Sequence, residues 1–207
     1  MPNGQAQASQ LSPADEGITV IGARNGLELA IRRSLTRSLG KVISRPDSLD
    51  LIAGVEVEQM QVQADDRGFF AELARLGSAG IATRMVPAGE RKIQISTTLT
   101  YPGAIKAIHY HYMQTDLWAP IAGMLQVFLC DLRRSSATFG LINTVYVGVL
   151  RPWEILIPPG VAHGYKTLGA RPAQLVYLTD RYYNPEDEGR LPYNDPDVGY
   201  DWETQHK

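Results

Sequence analysis

Cysteine occurs once in this 207-residue chain, at Cys130, so no disulfide can form within it. No apolar run is long enough to cross a bilayer as a helix, which excludes a helical membrane span. Long basic runs are missing too, and the formal net charge is −2. That balance argues against electrostatic nucleic-acid binding, although it leaves room for a local basic pocket that holds a phosphorylated ligand. The opening "MPNGQAQASQ" has neither the basic start nor the apolar run of a secretory signal, so the cytoplasm is the expected compartment. No internal repeat or low-complexity tract is visible. What remains is an ordinary globular composition and a length suited to one domain with an appendage.

The chain divides near residue 50. Residues 1 to about 17 are polar and have little to bury, which reads as a mobile arm. From Asn25 onward Leu27, Ile31, Leu35 and Leu39 recur every four residues, Asn25 can cap and Gly40 can terminate. The spacing predicts an amphipathic packing helix, so residues 1–53 are expected to form an arm and helix ahead of a domain at 54–207. Beyond Gly54 the texture is β: "GVEVEQMQV", "KIQISTTLT", "MLQVFLCDL", "LINTVYVGVL", "EILIPP" and "AQLVYLT" are short, alternating or β-branched, and separated by turn residues. Many short strands without intervening helices predict an all-β sandwich or barrel.

Histidine is scarce, yet two of the four histidines stand one residue apart in "GAIKAIHYHYMQTDLWAPIAG". Alternate residues of a strand share a face, so His109 and His111 would both look into the barrel. A metal site, a metal-free acid/base pair and histidines that merely satisfy strand hydrogen bonds all remain open. The spacing from Gly103 through His109, His111 and Asp116 to Gly123 resembles the first motif of the cupin family, with Asp where Glu is usual. "PPGVAH" resembles the second and contributes His163. The resemblance implies a double-stranded β-helix (jelly roll) and a set of His109, His111, Asp116 and His163 suited to one divalent metal such as Zn, Ni, Fe or Mn.

A closer resemblance covers most of residues 54–202. "DDRGFFAE", "QISTTLTYPGAIKAIH", "DLRRSSATFG", "IPPGVAHGY" and the C-terminal run through "YNDP" are similar, in order, to motifs of the RmlC family, the dTDP-4-dehydrorhamnose 3,5-epimerases. That family abstracts a proton beside the C4 ketone of a nucleotide-linked 4-keto-6-deoxy sugar and reprotonates from the other face. The resemblance implies His109 as base, Tyr177 as acid and Asp195 as the carboxylate orienting the histidine. It places Arg67, Glu72, Gln94 and Lys106 against the nucleotide and diphosphate, and it implies a homodimer that exchanges the "DRGFF" segment.

Two departures matter. The family's sugar-facing lysine is replaced by Asp116, after a loop about three residues shorter, and its glutamine two residues after the base is His111. Together they restore the cupin metal set that the family lacks. Three functions follow: an epimerase, metal-assisted if a cation replaces the lysine; a metal-dependent cupin enzyme with another small carbonyl or carboxylate substrate; and a non-catalytic sugar-nucleotide-binding cupin. Plainer readings stand beside these roles. Tyr177 could be a core residue, Asp195 a turn residue, Arg67 a partner of Asp65 or Asp66, and Cys130 buried and inert.

Overall fold

The structure, a computed structural model, describes residues 16–76, 80–85 and 92–203. Of the polar arm expected over residues 1–17, residues 1–15 lie outside these. Fifteen strands run in chain order: β1 (Ile18–Arg24), β2 (Leu27–Arg32), β3 (Lys41–Ile43), β4 (Glu56–Gln59), β5 (Val62–Asp65), β6 (Gly68–Ala71), β7 (Gln94–Thr100), β8 (Ile105–His111), β9 (Asp116–Ala122), β10 (Met124–Asp131), β11 (Ile142–Gly148), β12 (Trp153–Ile157), β13 (Val161–Leu168), β14 (Ala173–Thr179) and β15 (Glu188–Arg190). A short 3-10 helix spans Ile81–Met85. A six-stranded sheet, β15-β8-β13-β10-β11-β3, faces a five-stranded sheet, β4-β12-β9-β14-β7, as a cupin jelly roll.

Period-two patterning explains the layers. On β10, Leu125, Val127 and Leu129 enter the core between the sheets with Trp118, Val145, Val147, Trp153, Ile155 and Ile157. The alternate residues Phe128 and Cys130 point outward, into a second apolar cluster with Leu29, Ile31, Ile108, Leu132, Tyr200 and Trp202. Both faces of β10 are therefore buried, at roughly 1.5–3 kcal/mol for each large aliphatic side chain. Cys130 is buried there and its thiol is pushed up to about 12, which leaves it inert.

The helix expected from Asn25 is a hairpin instead. β1 and β2 pair antiparallel around Asn25 and Gly26, whose φ angles of 49° and 80° both lie in the left-handed region that a two-residue primed turn requires. The four-residue spacing of Leu27, Ile31, Leu35 and Leu39 is also a multiple of two. Leu29 fills the intermediate strand position, while Leu35 is 94% exposed. The hairpin lies over the six-stranded sheet through the Ala30 N–H bond to Leu132 O at 2.8 Å, and β3 joins that sheet parallel to β11. The "DLRRSSATFG" run serves as a clamp, because buried Asp131 accepts from Arg133, Ser136 and Thr138.

Candidate active site

The sheets leave a cavity of about 360 Å³ between β7, β9 and β14 on one side and β8, β13 and β15 on the other. Its floor consists of buried His111, Gln114, Asp116 and His163. His111 ends β8, Asp116 begins β9, and His163 comes from β13, where it lies opposite His109 in the strand register. Ligand-capable atoms of His111, Asp116 and His163 lie within 4.8 Å of one another. Asp116 accepts Gln114 Nε2 on Oδ1 at 2.6 Å and Trp118 Nε1 on Oδ2 at 3.3 Å. His163 Nδ1 donates to Val161 O at 3.0 Å and its Nε2 faces Asp116 Oδ2 at 3.6 Å. Burial lowers the His163 pKa, against the opposing pull of Asp116, and so favours the neutral ring.

The short β8–β9 connection is fixed by carboxylates. Asp187 accepts Tyr112 N at 3.2 Å and Gln114 N at 3.0 Å, and Asp180 accepts Thr115 N at 3.0 Å. Gln114 is thereby held with its amide nitrogen 3.2 Å from His111 Nε2 as well as against Asp116.

His109 stands apart from that cluster, higher in the cavity, with 28% of its side chain exposed and Nδ1 3.5 Å from Glu188 Oε1. Glu188 also accepts Arg190 Nε at 2.5 Å. Burial and the neighbouring His163 hold the His109 pKa below its ordinary value of 6.5, with Glu188 opposing them, so the imidazole is an available base at neutral pH. Tyr177, half-buried on β14, lines the cavity from the opposite sheet. Lys106, which donates to Thr98 Oγ1, and exposed Arg190 put positive charge at the mouth. Gln94 lines it as well, although its amide already bonds Ser96 Oγ and Tyr183 N.

Sequence and structure part at several residues. The expected four-ligand set becomes three, because His109 turns to Glu188 rather than to the His111–Asp116–His163 cluster. Asp195 does not line the cavity; its carboxylate caps a turn by accepting Asp197 N and Val198 N, and Glu188 is the carboxylate beside His109. Arg67 and Glu72 lie outside the cavity within this chain, paired with Asp65 and Arg75. Glu188, Arg190 and Gln114 were not singled out from sequence. Gln114 had a signal, since it sits two residues before Asp116, whereas Glu188 and Arg190 depend on the pairing of a three-residue strand with β8.

Comparison with known proteins decides the family. A model of dTDP-4-dehydrorhamnose 3,5-epimerase matches residues 50–207. The chain belongs to that family. It is 43% identical over 159 residues to the spore coat polysaccharide biosynthesis protein SpsL of Bacillus subtilis, covering 76% of this chain and 100% of SpsL. Among solved structures, a dTDP sugar isomerase from Desulfovibrio desulfuricans is 25% identical with a TM-score of 0.65, covering 73% of this chain and 92% of that one. A dTDP-6-deoxy-D-glucose-3,5-epimerase from Legionella pneumophila, in complex with dTDP-4-keto-L-rhamnose, is 27% identical with a TM-score of 0.60, covering 74% and 80%. The epimerase family thus carries a cavity floor of two histidines and an aspartate in this chain. No helix among the described residues is long and apolar enough to cross a membrane.

Proposed function

We propose that the protein epimerises a nucleotide-linked 4-keto-6-deoxy sugar by removing a proton from carbon beside the ketone and returning one to the opposite face. The observation that carries this reading is the opposition of His109 and Tyr177 across one cavity, each from a different sheet, with Glu188 against the histidine's second nitrogen. His109 Nε2 takes the proton. Glu188 at Nδ1 holds the ring and stabilises the imidazolium that forms, and Tyr177 Oη delivers a proton from the other side. Lys106 and Arg190 at the mouth suit a diphosphate, Arg190 by its fork and Lys106 as a point charge. Family membership, and the dTDP-sugar bound by the Legionella relative, support a sugar nucleotide as substrate.

The reading includes a homodimer. The β5–β6 hairpin belongs to neither barrel sheet and exposes Phe69 and Phe70, while the edge strand β7 exposes Ile95 and Leu99. A second copy would cover these residues and bring Arg67 and Glu72 toward the partner's cavity, as the resemblance implies. The direct test is deuterium incorporation from heavy water into dTDP-4-keto-6-deoxyglucose, followed by NMR. Wild type should exchange and invert, and Tyr177→Phe should exchange without inverting. Complete failure of wild-type exchange overturns the reading, and a monomer in sedimentation at micromolar concentration overturns the dimer.

A further inference from the structure

We propose that His111, Asp116 and His163 bind one first-row divalent cation and that His109 is not among its ligands. Geometry and donor chemistry carry the inference. Val161 O can only accept, so Nδ1 of His163 carries a hydrogen and Nε2 is the nitrogen left to ligate, turned toward Asp116 Oδ2 at 3.6 Å. Gln114 Nε2 carries two hydrogens and meets Asp116 Oδ1 with one and His111 Nε2 with the other, so His111 also presents a lone pair inward. Among the described residues, three ligand-capable atoms therefore converge in a buried space, where they meet the Gln114 amide and Trp118 indole hydrogens. A cation at their centre would take over from the Gln114 hydrogens as the shared partner of these atoms.

The fit is specific in kind. Two imidazoles and one carboxylate with open positions suit zinc, iron(II) and their neighbours, whereas calcium and magnesium prefer all-oxygen sets. Ligand atoms about 2.1 Å from a metal lie roughly 3–3.5 Å apart, so the 4.8 Å spread asks for side-chain movement on the order of an ångström. Two of the three ligands already have an orienting partner of the type metal sites use: Val161 O for His163 and Trp118 Nε1 for Asp116. Asp187 and Asp180 hold the connecting loop. Gln114, whose amide now satisfies two of the three donors, would withdraw as the cation enters.

Leaving His109 out has a functional consequence, which rests on the reaction proposed above. A metal-bound imidazole cannot accept a proton from carbon; with three ligands the base stays free beside Glu188. The cation, when bound, would supply an electrophile for the ketone oxygen.

The test uses untagged full-length protein, stripped with chelator and dialysed against cobalt(II) or zinc(II). Wild type should retain one ion per chain, show visible cobalt absorption and melt at a higher temperature with metal. Asp116→Asn and His111→Gln should each weaken binding by roughly 100-fold or more, while His109→Asn should bind as wild type. Wild type that holds no stoichiometric metal overturns the site, as would Asp116→Asn or His111→Gln binding normally. Loss of metal in a folded His109→Asn protein overturns the three-ligand assignment. Metal bound without sugar exchange keeps the site and rejects the epimerase; exchange by metal-free protein in the presence of chelator keeps the epimerase and rejects the cation's role as electrophile.

Discussion

The floor and the mouth of the cavity are built by opposite rules. On the floor His111, Gln114, Asp116 and His163 are buried and joined to one another and to Trp118 and Val161 by hydrogen bonds. At the mouth the groups are charged and wet: Arg190 is 68% exposed and Lys106 is exposed. Buried polar networks are costly to break, whereas exposed ion pairs contribute about 0–1 kcal/mol. Substitution at the mouth should therefore alter substrate handling and spare the fold, and substitution on the floor should disturb both. His109 lies between these regimes.

The sharpest way to separate them is His109→Asn, which should reduce sugar exchange by roughly 10²- to 10⁴-fold with a nearly unchanged melting temperature. A large loss of stability would show that His109 belongs to the floor. Next is Asp187→Ala, which strands the buried N–H of Gln114, leaves Tyr112 N–H with the residue-187 carbonyl alone, and should cost about 1–3 kcal/mol in denaturant unfolding. The corresponding change beside His109, Glu188→Gln, should cost much less stability than activity.

A third test uses a buried acid outside the cavity. Glu154 faces Glu58 across β12 and β4, and burial followed by that like charge pushes its pKa from 4.5 up to about 8. The folded state holds this proton more tightly than the unfolded one. Its stabilising contribution is complete below about pH 4.5 and disappears as pH rises through 8. Glu154→Gln should raise the melting temperature at pH 9 by a few degrees and leave it unchanged at pH 4, as thermal scans at the two pH values would check. Smallest is Arg190→Gln: KM for the sugar nucleotide should rise a few-fold, less so at high salt, with stability unaffected.

The jelly roll was legible because its signals are local. The alternation of "MLQVFLCDL" and "AQLVYLT" states period two directly, and the paired histidine motifs fix which faces look inward. The N-terminal hairpin was misread for an equally local reason. A four-residue spacing fits a helix and a strand alike, and Asn25–Gly26 was the stronger signal, since it supplies two left-handed residues in succession. The division of the histidines lay beyond local pattern. His109 and His111 share a strand face, but which carboxylate each one meets depends on β15 pairing with β8 and on the loop through Gln114. Asp195 illustrates the same limit, because the motif that carries it matched while its side chain went to the adjacent turn.

The parallel pairing of β3 with β11 also bears on how the chain is made. Lys41 leaves the ribosome about a hundred residues before its partner Asn143, a delay on the order of 5–20 s at ordinary synthesis rates. For most of that interval Leu29, Ala30 and Ile31 have no sheet to cover, because Ile108, Phe128 and Leu132 follow them by about eighty to a hundred residues, although in the finished molecule they are buried. The β1–β2 hairpin, closed by a two-residue turn, can form within microseconds and pair its own backbone while it waits. A nascent chain in which an early hairpin pairs its own two strands offers fewer open strand edges to neighbours on the same polysome.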